Sequence, residues 1–376
     1  STRTGTDERP GEEERRLVPE VGWNKSIWNP HVSMRVRHGA HVTVGSTFSR
    51  VSARSAVVSP YEETLRQQAV AYVFTRFQAS EGKEIGIKVK NEMFERWQQF
   101  SRKLKEGQGR DPIIPAKAFS DEGLHAELLG LGVGKAQAHN FCCELGHAAK
   151  VALQNLSRQL RSPVVACKGV VAKRVDESTY ILQLGKNRLR LNSAHYTKMK
   201  QLFKSNGFAA GLGDDIGVVR RRNARQEEDS LRVFHNCLFA CLMRYEALQG
   251  GGFQASLKGD AFDSLLRFFD VRMECFASPF NCRYAPFCSA FPDVDAPFGS
   301  VGSFFDFEPC EGAFEANPPF VREVILKMAQ HMEYLLKATD KALMFVVIIP
   351  AWEDAPGWQS LRESRFLTRH LWLDQK

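Results

Sequence analysis

No two of the nine cysteines (142, 143, 167, 237, 241, 275, 282, 288 and 310) are spaced as Cys-x-x-Cys. That spacing is the usual signature of zinc and thiol-redox motifs, so the thiols read as reduced ones of a cytosolic or nuclear protein. No secretory leader is evident, and no apolar run approaches the ~20 residues needed to cross a bilayer. No internal repeat is evident either. Tyrosine is scarce, 7 against 27 phenylalanines. What is present is ample core-forming material, with 43% apolar residues in a chain of 376, long enough for two domains. The net charge of +8 suits a nucleic-acid partner, though an excess of this size is also common in proteins that bind none. The chain opens on Ser1 and stops at Gln375-Lys376, soon after a Trp-Leu run, and reads as a fragment.

Four parts follow from composition and periodicity. Residues 1–58 are rich in Arg, Ser, Glu and Gly without sustained periodicity and read as a disordered tail. Residues 59–206 read as a mainly helical domain with a small β element. Helices are expected from Tyr61 to about Gln78, from Lys90 to Leu104 (Met93, Phe94, Trp97 and Phe100 on the apolar side), over Ala136–Leu160 and near Ala194–Phe203. Short strands are expected at Val164–Ala166, Gly169–Ala172, Tyr180–Leu184 and Leu189–Leu191, with a turn at Gly185-Lys186-Asn187. Residues 207–229, with four glycines and the run Arg220–Arg222, read as a flexible linker. Residues 230–376 alternate. Helices are expected at Leu231–Leu248, Ala261–Phe269 and Arg322–Leu336, and strands at Val271–Phe276, Phe304–Phe307 and Ala342–Ile349. Such alternation predicts an α/β fold with a doubly wound sheet.

The chemistry centres on Asn317-Pro318-Pro319-Phe320, between a strand-like segment and a helix, where α/β ligand sites form. An exocyclic adenine amine is a poor nucleophile because its lone pair is delocalised into the ring. Acceptors facing both N–H bonds make that lone pair available. The Asn317 side-chain oxygen and the Pro318 carbonyl can serve, and the two prolines fix the backbone that aims the carbonyl. Phe320 can stack on the base. A rigid strand-end turn is the plainer account of Pro-Pro alone; the flanking elements favour a pocket. Three further segments fit a methyl-donor site. They are Ala277-Ser278-Pro279 after the first strand, Asp306 eleven residues before Asn317, and Gln254-Ala255-Ser256 before a helix. Each alone is an ordinary loop or strand end.

Taken together, several stretches resemble the cap-specific adenosine N6-methyltransferase family, also called phosphorylated-CTD-interacting factor. They are Ala247–Gly250 with Gly252–Ala255, Glu274–Pro279, Phe287–Asp293, Phe314–Phe320, and Ile349-Pro350 with Trp352. The match covers about residues 231–370. The resemblance implies a helical domain packed on a Rossmann-like methyltransferase domain. It also implies S-adenosylmethionine as methyl donor and methylation of N6 of 2′-O-methyladenosine beside the 7-methylguanosine cap of nuclear mRNA. Asn317 and Phe320 become the catalytic positions, with Pro318 and Pro319 completing the motif. Gln254, Ala255, Ala277, Ser278, Pro279 and Asp306 join Asn317 and Phe320 around the cofactor. Arg322 and the loop Trp352, Glu353, Asp354, Ala355 and Pro356 lie near capped RNA. An acidic residue is expected at the Arg322 position, and Glu353 and Asp354 also shift the loop's charge. No suitably spaced tryptophan pair marks a WW domain in residues 1–58, and the family continues past this C-terminus with a further strand. The piece is therefore expected to leave a sheet edge uncovered.

Other clusters read more plainly. His139, Cys142, Cys143 and His147 lack zinc-finger spacing and read as one helix with core cysteines, with no metal expected. Cys237 and Cys241 share a helix face and read as packing residues. Arg220–Arg222 can touch phosphate, but a solvated loop fits better. Arg66 and Arg96 lie on helices of the first domain and can bind the cap triphosphate. The expected partners are capped mRNA and, for a longer protein, the phosphorylated tail of RNA polymerase II, with no membrane. The alternatives are a DNA or internal-RNA adenine methyltransferase, and a non-catalytic RNA- or tail-binding protein.

Overall fold

A computed structural model describes residues 58–79, 93–94, 111–114, 122–161, 169–206, 224–248, 257 and 259–373. The tail at 1–57, most of the Lys90–Leu104 helix, Val164–Ala166, residues 207–223 with Arg220–Arg222, and Gln254–Ser256 lie outside them.

Helix α1 spans Pro60–Ala79. Proline opens its first turn, where a missing N–H does no harm, and Glu62 and Glu63 lie at its positive end. Val70, Val73 and Phe77, three and four residues apart, point inward. After α2 (Glu122–Gly130) comes α3, Lys135–Arg161, whose buried face includes Ala138, Phe141, Leu145, Ala149, Ala152 and Leu156. Phe77 meets Phe141 edge to face at 5.0 Å. Strands β1 (Val171–Arg174), β2 (Thr179–Leu184) and β3 (Asn187–Asn192) form an antiparallel meander. The hairpin between β2 and β3 closes through Gly185 at φ +59°, a conformation that glycine adopts without strain. Asn192 caps α4 (Ser193–Ser205) by accepting from the His195 amide at 2.7 Å. Tyr196 of α4 stacks on Tyr180 of β2 at 3.9 Å.

Helix α5 runs over Ala224–Glu246, so the last residues of the expected linker are helical. From Cys237 to Arg244 every residue is buried, which marks α5 as a central helix rather than an amphipathic surface one. One apolar core runs without a break from Val70 in α1 through α5 to Phe280 and to Phe291 and Phe298, which flank the short helix α7 (Pro292–Asp295).

The remaining chain builds a parallel ladder. Strands β4 (Gly312–Ala316) and β5 (Leu343–Val347) pair in parallel. Parallel bridges join Glu274 to Glu315, Ala277 to Ser289 and Phe287 to Ser300. Short tracks near 274–277, 287–289 and 300–302 therefore run alongside the two strands in one direction. Phe314, Ala316, Phe345 and Val347 face helix α8 (Arg322–Ala338) through Ile325, Met328 and Met332. Ala313, Met344 and Val346 face helix α6 (Gly259–Phe269) through Phe262 and Leu265. Helices thus cover both faces of a small parallel sheet, in a chain that mixes helix and strand.

Two expected strands differ. Val271–Phe276 is reduced to one bridge, held by the Cys275 amide on the Glu315 carbonyl at 2.7 Å and the Glu315 amide on the Met273 carbonyl at 3.0 Å. The track then leaves β4, and Ala277 donates to Cys288 instead. Phe304–Asp306 is a 3₁₀ turn opened by Ser303. Its buried side chains, Phe304 and Phe307, fall three apart rather than two, which is the period of that helix.

Candidate active site

Strand β4 ends at Ala316, whose carbonyl accepts from the Ile348 amide at 3.0 Å just past the end of β5. Asn317 therefore leaves the sheet at its carboxyl edge, where parallel sheets place ligands. Pro318 is buried, Pro319 exposed, and Asn317 and Phe320 half-buried. The Val321 amide donates to the Pro319 carbonyl at 2.7 Å, a tight turn that swings the chain into α8 at Arg322. Asn317–Phe320 thus bridges the carboxyl end of a strand and the amino end of a helix.

The loop after β5 comes to the same place. Phe320 meets Trp352 edge to face at 6.5 Å. The Arg322 guanidinium lies 5.3 Å from the centre of the Trp352 ring and donates to both Asp354 oxygens, at 2.8 and 3.3 Å. Hydrogen bonding to Arg322 holds the Asp354 carboxyl below its ordinary range. The acidic residue of this loop therefore neutralises the basic residue at the helix start. Ala355 is buried, donates to the Trp352 carbonyl at 2.8 Å and leads into α9 (Pro356–Glu363). Glu353 is exposed, and its carbonyl accepts from Gln359. Gly357 sets how closely α9 approaches α8. A Cβ there would lie 2.6 Å from the Leu326 nitrogen and 2.9 Å from the Ile325 carbonyl carbon.

Ala277–Pro279 follows the track beside β4, so three of the expected segments follow the carboxyl ends of adjacent parallel tracks. Ser278 is engaged in its own turn: its amide and hydroxyl donate to the Asn281 side-chain oxygen at 2.7 and 2.8 Å. Asp306 ends the 3₁₀ turn with an exposed side chain. Its charge adds to burial in pushing the Cys288 thiol up. Gln254, Ala255 and Arg96 fall outside the described residues.

Arg66 requires a correction. Instead of facing phosphate it turns inward, donating to Asp111 at 2.7 Å, to Glu62 at 2.8 Å and to Glu63. Glu63 in turn accepts from Arg244 at 2.7 and 2.8 Å, and Arg244 reaches Asp293 at 2.7 and 2.9 Å. Burial of a guanidinium requires such carboxylates. His139, Cys142, Cys143 and His147 lie on helix α3, with Cys142 buried and His139 and Cys143 3.6 Å apart.

Beneath the site lie buried ionisable groups that pattern reading missed. Glu274 and Glu315 are buried bridge partners. Burial pushes Glu274 up to about 7, against the pull of the Tyr284 and Arg283 amides, which donate to it at 2.9 and 2.5 Å. Burial and the neighbouring Glu274 push Glu315 up as well. Lys198 of α4, buried, donates to the Phe280 and Cys282 carbonyls at 3.1 and 2.6 Å and so ties α4 to the turn after Ala277–Pro279. The one available signal was a glutamate inside each of two apolar runs, Met273-Glu274-Cys275 and Phe314-Glu315-Ala316.

Residues 198–376 match the family model described as phosphorylated CTD interacting factor 1 WW domain. Two relatives, from Homo sapiens and Mus musculus, each carry the name mRNA (2′-O-methyladenosine-N(6)-)-methyltransferase. Each is 42% identical over 155 residues, 39% of this chain. The chain spans 22% of the length of these relatives. The family resemblance read from the residues is thereby borne out for the part of the chain that holds the site.

Proposed function

We propose that this chain carries the catalytic part of an adenosine N6-methyltransferase acting on the cap-adjacent 2′-O-methyladenosine of mRNA, a nuclear substrate. The observation that carries the reading is the meeting of Asn317–Phe320 with Trp352 at the carboxyl edge of a parallel sheet. The names and identity of the human and mouse relatives support it. The sheet, with helices on both faces, is read as a Rossmann-like methyltransferase core, and residues 59–206 as its helical RNA platform. In a longer protein the polymerase tail is a further proposed partner.

S-adenosylmethionine, as methyl donor, supplies an electrophilic methyl group on a cationic sulfonium. The site suits a cation: Phe320 and Trp352 are aromatic, Asp306 is an exposed acid, and the Arg322 charge is balanced by Asp354. Ala277, Ser278, Pro279, Asp306, Asn317 and Phe320 would hold it, with Gln254 and Ala255. The Asn317 oxygen and Pro318 carbonyl accept the two N–H bonds of the adenine amine and orient its lone pair, while Phe320 holds the ring plane. The amine becomes strongly acidic once methylated, so its proton can pass to water without a dedicated base.

The test is methyl transfer to capped RNA beginning with A, with uncapped RNA and single-stranded DNA alongside. The reading expects capped RNA to be methylated well above both others. Equal rates on uncapped RNA or DNA would shift it to an internal-RNA or DNA enzyme.

A further inference from the structure

If Arg66 is turned inward, the cations that meet RNA lie elsewhere, and the β1–β3 meander supplies a candidate face. Its register sets Val171 beside Gln183 and Arg188, and Lys173 beside Ile181 and Arg190. Side chains alternate across a sheet, so Lys173, Arg188 and Arg190 share one face. The opposite face, through Leu182, Leu189 and Leu191, is buried in the core. All three cations are exposed, and Asp176 in the adjoining turn feels the Arg190 charge but forms no ion pair with it.

Among the described residues, what marks this face is three cations without a carboxylate partner on one sheet surface. Arg66, Arg232, Arg244, Arg272, Arg283 and Arg322 each form an ion pair with a carboxylate. Lys173, Arg188 and Arg190 form none, although Asp176 and Glu177 sit in the adjoining turn. There Asp176 accepts from the Ser178 amide and hydroxyl at 2.7 and 2.8 Å, and Arg190 reaches only the Thr179 hydroxyl at 3.5 Å. The sheet sets the backbone positions of the three cations, with Arg188 and Arg190 about 7 Å apart along β3 and Lys173 two strands, about 10 Å, from Arg190. Val171 and Val175, 62% and 55% exposed, add apolar surface beside them.

We propose that this sheet face binds the phosphate backbone of single-stranded RNA, namely the body of the transcript whose first nucleotide reaches Asn317. The identity of the RNA rests on the methyltransferase reading; binding itself does not. Three cations without ion pairs on one sheet surface complement a polyanion, and because they touch phosphate rather than bases the contact is indifferent to sequence.

The experiment uses the whole chain and a fluorescein-labelled, uncapped 15-nucleotide RNA, with anisotropy followed over a salt series. Replacing the three phosphate contacts together (Lys173→Gln, Arg188→Gln, Arg190→Gln) should weaken binding at low salt about tenfold or more. The slope of log K against log salt should become shallower by about 2, since each single-strand phosphate contact contributes about 0.7. Gln at Arg272, Lys337 and Lys341, which are already paired, should change neither quantity. Unchanged affinity and slope in the first triple variant would overturn the proposal. So would intact RNA binding alongside lost binding of a phosphoserine peptide, which would assign the face to a protein partner. If methyl transfer fails on every substrate while the RNA slope shifts as stated, the enzymatic reading falls and the binding face stands.

Discussion

At the residue scale the decisive groups are few and polar. Asn317→Ala removes one of two acceptors proposed to orient the amine, while the Pro318 carbonyl remains. Loss of one pre-organised contact costs roughly 3 kcal/mol of transition-state stabilisation, on the order of a hundred-fold or more in rate. Melting temperature should barely move, since Asn317 is only half-buried. Near-normal transfer to capped RNA by this variant would return the motif to a structural turn. The buried carboxyls make a separate prediction. Burial pushes both Glu274 and Asp295 up to about 7, far above their unfolded values of roughly 4. The folded state then holds more protons than the unfolded one, so this stability is full below the unfolded values and is lost as pH rises through about 7. His235 acts in the opposite sense: burial lowers it to about 4, so its contribution grows between there and its unfolded value of about 6.5. The two acids outweigh the one histidine, so the net decline should run from about pH 5 to 7 and flatten above. Urea midpoints across that range should fall, and Glu274→Gln, which still accepts the two amides, should flatten the fall. An unchanged slope in that variant would contradict the raised value.

At the element scale, position depends on close approach. α9 carries the end of the Trp352–Pro356 loop and lies against the backbone of α8 because Gly357 has no side chain. In Gly357→Ala the added methyl would meet the Leu326 nitrogen at 2.6 Å, main chain that cannot swing aside. The helices should separate, at a cost of about 1–3 kcal/mol. Trp352 would then shift from Phe320, so turnover should fall together with the denaturation midpoint. Normal turnover with lowered stability would dissociate the loop from the chemistry. The helices themselves were legible as apolar residues three and four apart, and α1, α3, α4 and α8 fall within a few residues of expectation. Tracks 271–276 and 304–307 were not, because in runs this short a strand, a bridge and a 3₁₀ turn differ only in which neighbour supplies the hydrogen bonds.

At the scale of the molecule, one buried ionic network spans the sequence. Arg244 in the middle of α5, fully buried, joins Glu63 of α1 to Asp293 before the 3₁₀ turn at Ala296–Phe298. Arg244→Met keeps the volume but leaves Glu63 with one guanidinium, Arg66, and Asp293 with none in this network. Breaking a buried pair from one side costs about 3–5 kcal/mol. Equilibrium denaturation should register a loss of that size, whereas a change below 1 kcal/mol would mean that water reaches the network. The same core runs from Val70 to Phe298. Residues on either side of position 230 therefore fold against each other, and the composition change in the linker does not divide the packing.

The residue pattern by itself determined the helices, the Gly185 hairpin, the alternation of helix and strand, and the local sequence Asn-Pro-Pro-Phe between a strand and a helix. Each is a property of neighbours along the chain, so periodicity and turn chemistry suffice. Only the tertiary structure decided that Arg66 faces Asp111 rather than solvent, that Glu274 lies beside Glu315, and that Asp354 neutralises Arg322. It also decided that Lys173, Arg188 and Arg190 stand unpaired on one face. Those outcomes depend on strand register and on which charges burial forces together, and partners dozens of residues apart leave no periodic trace in the sequence.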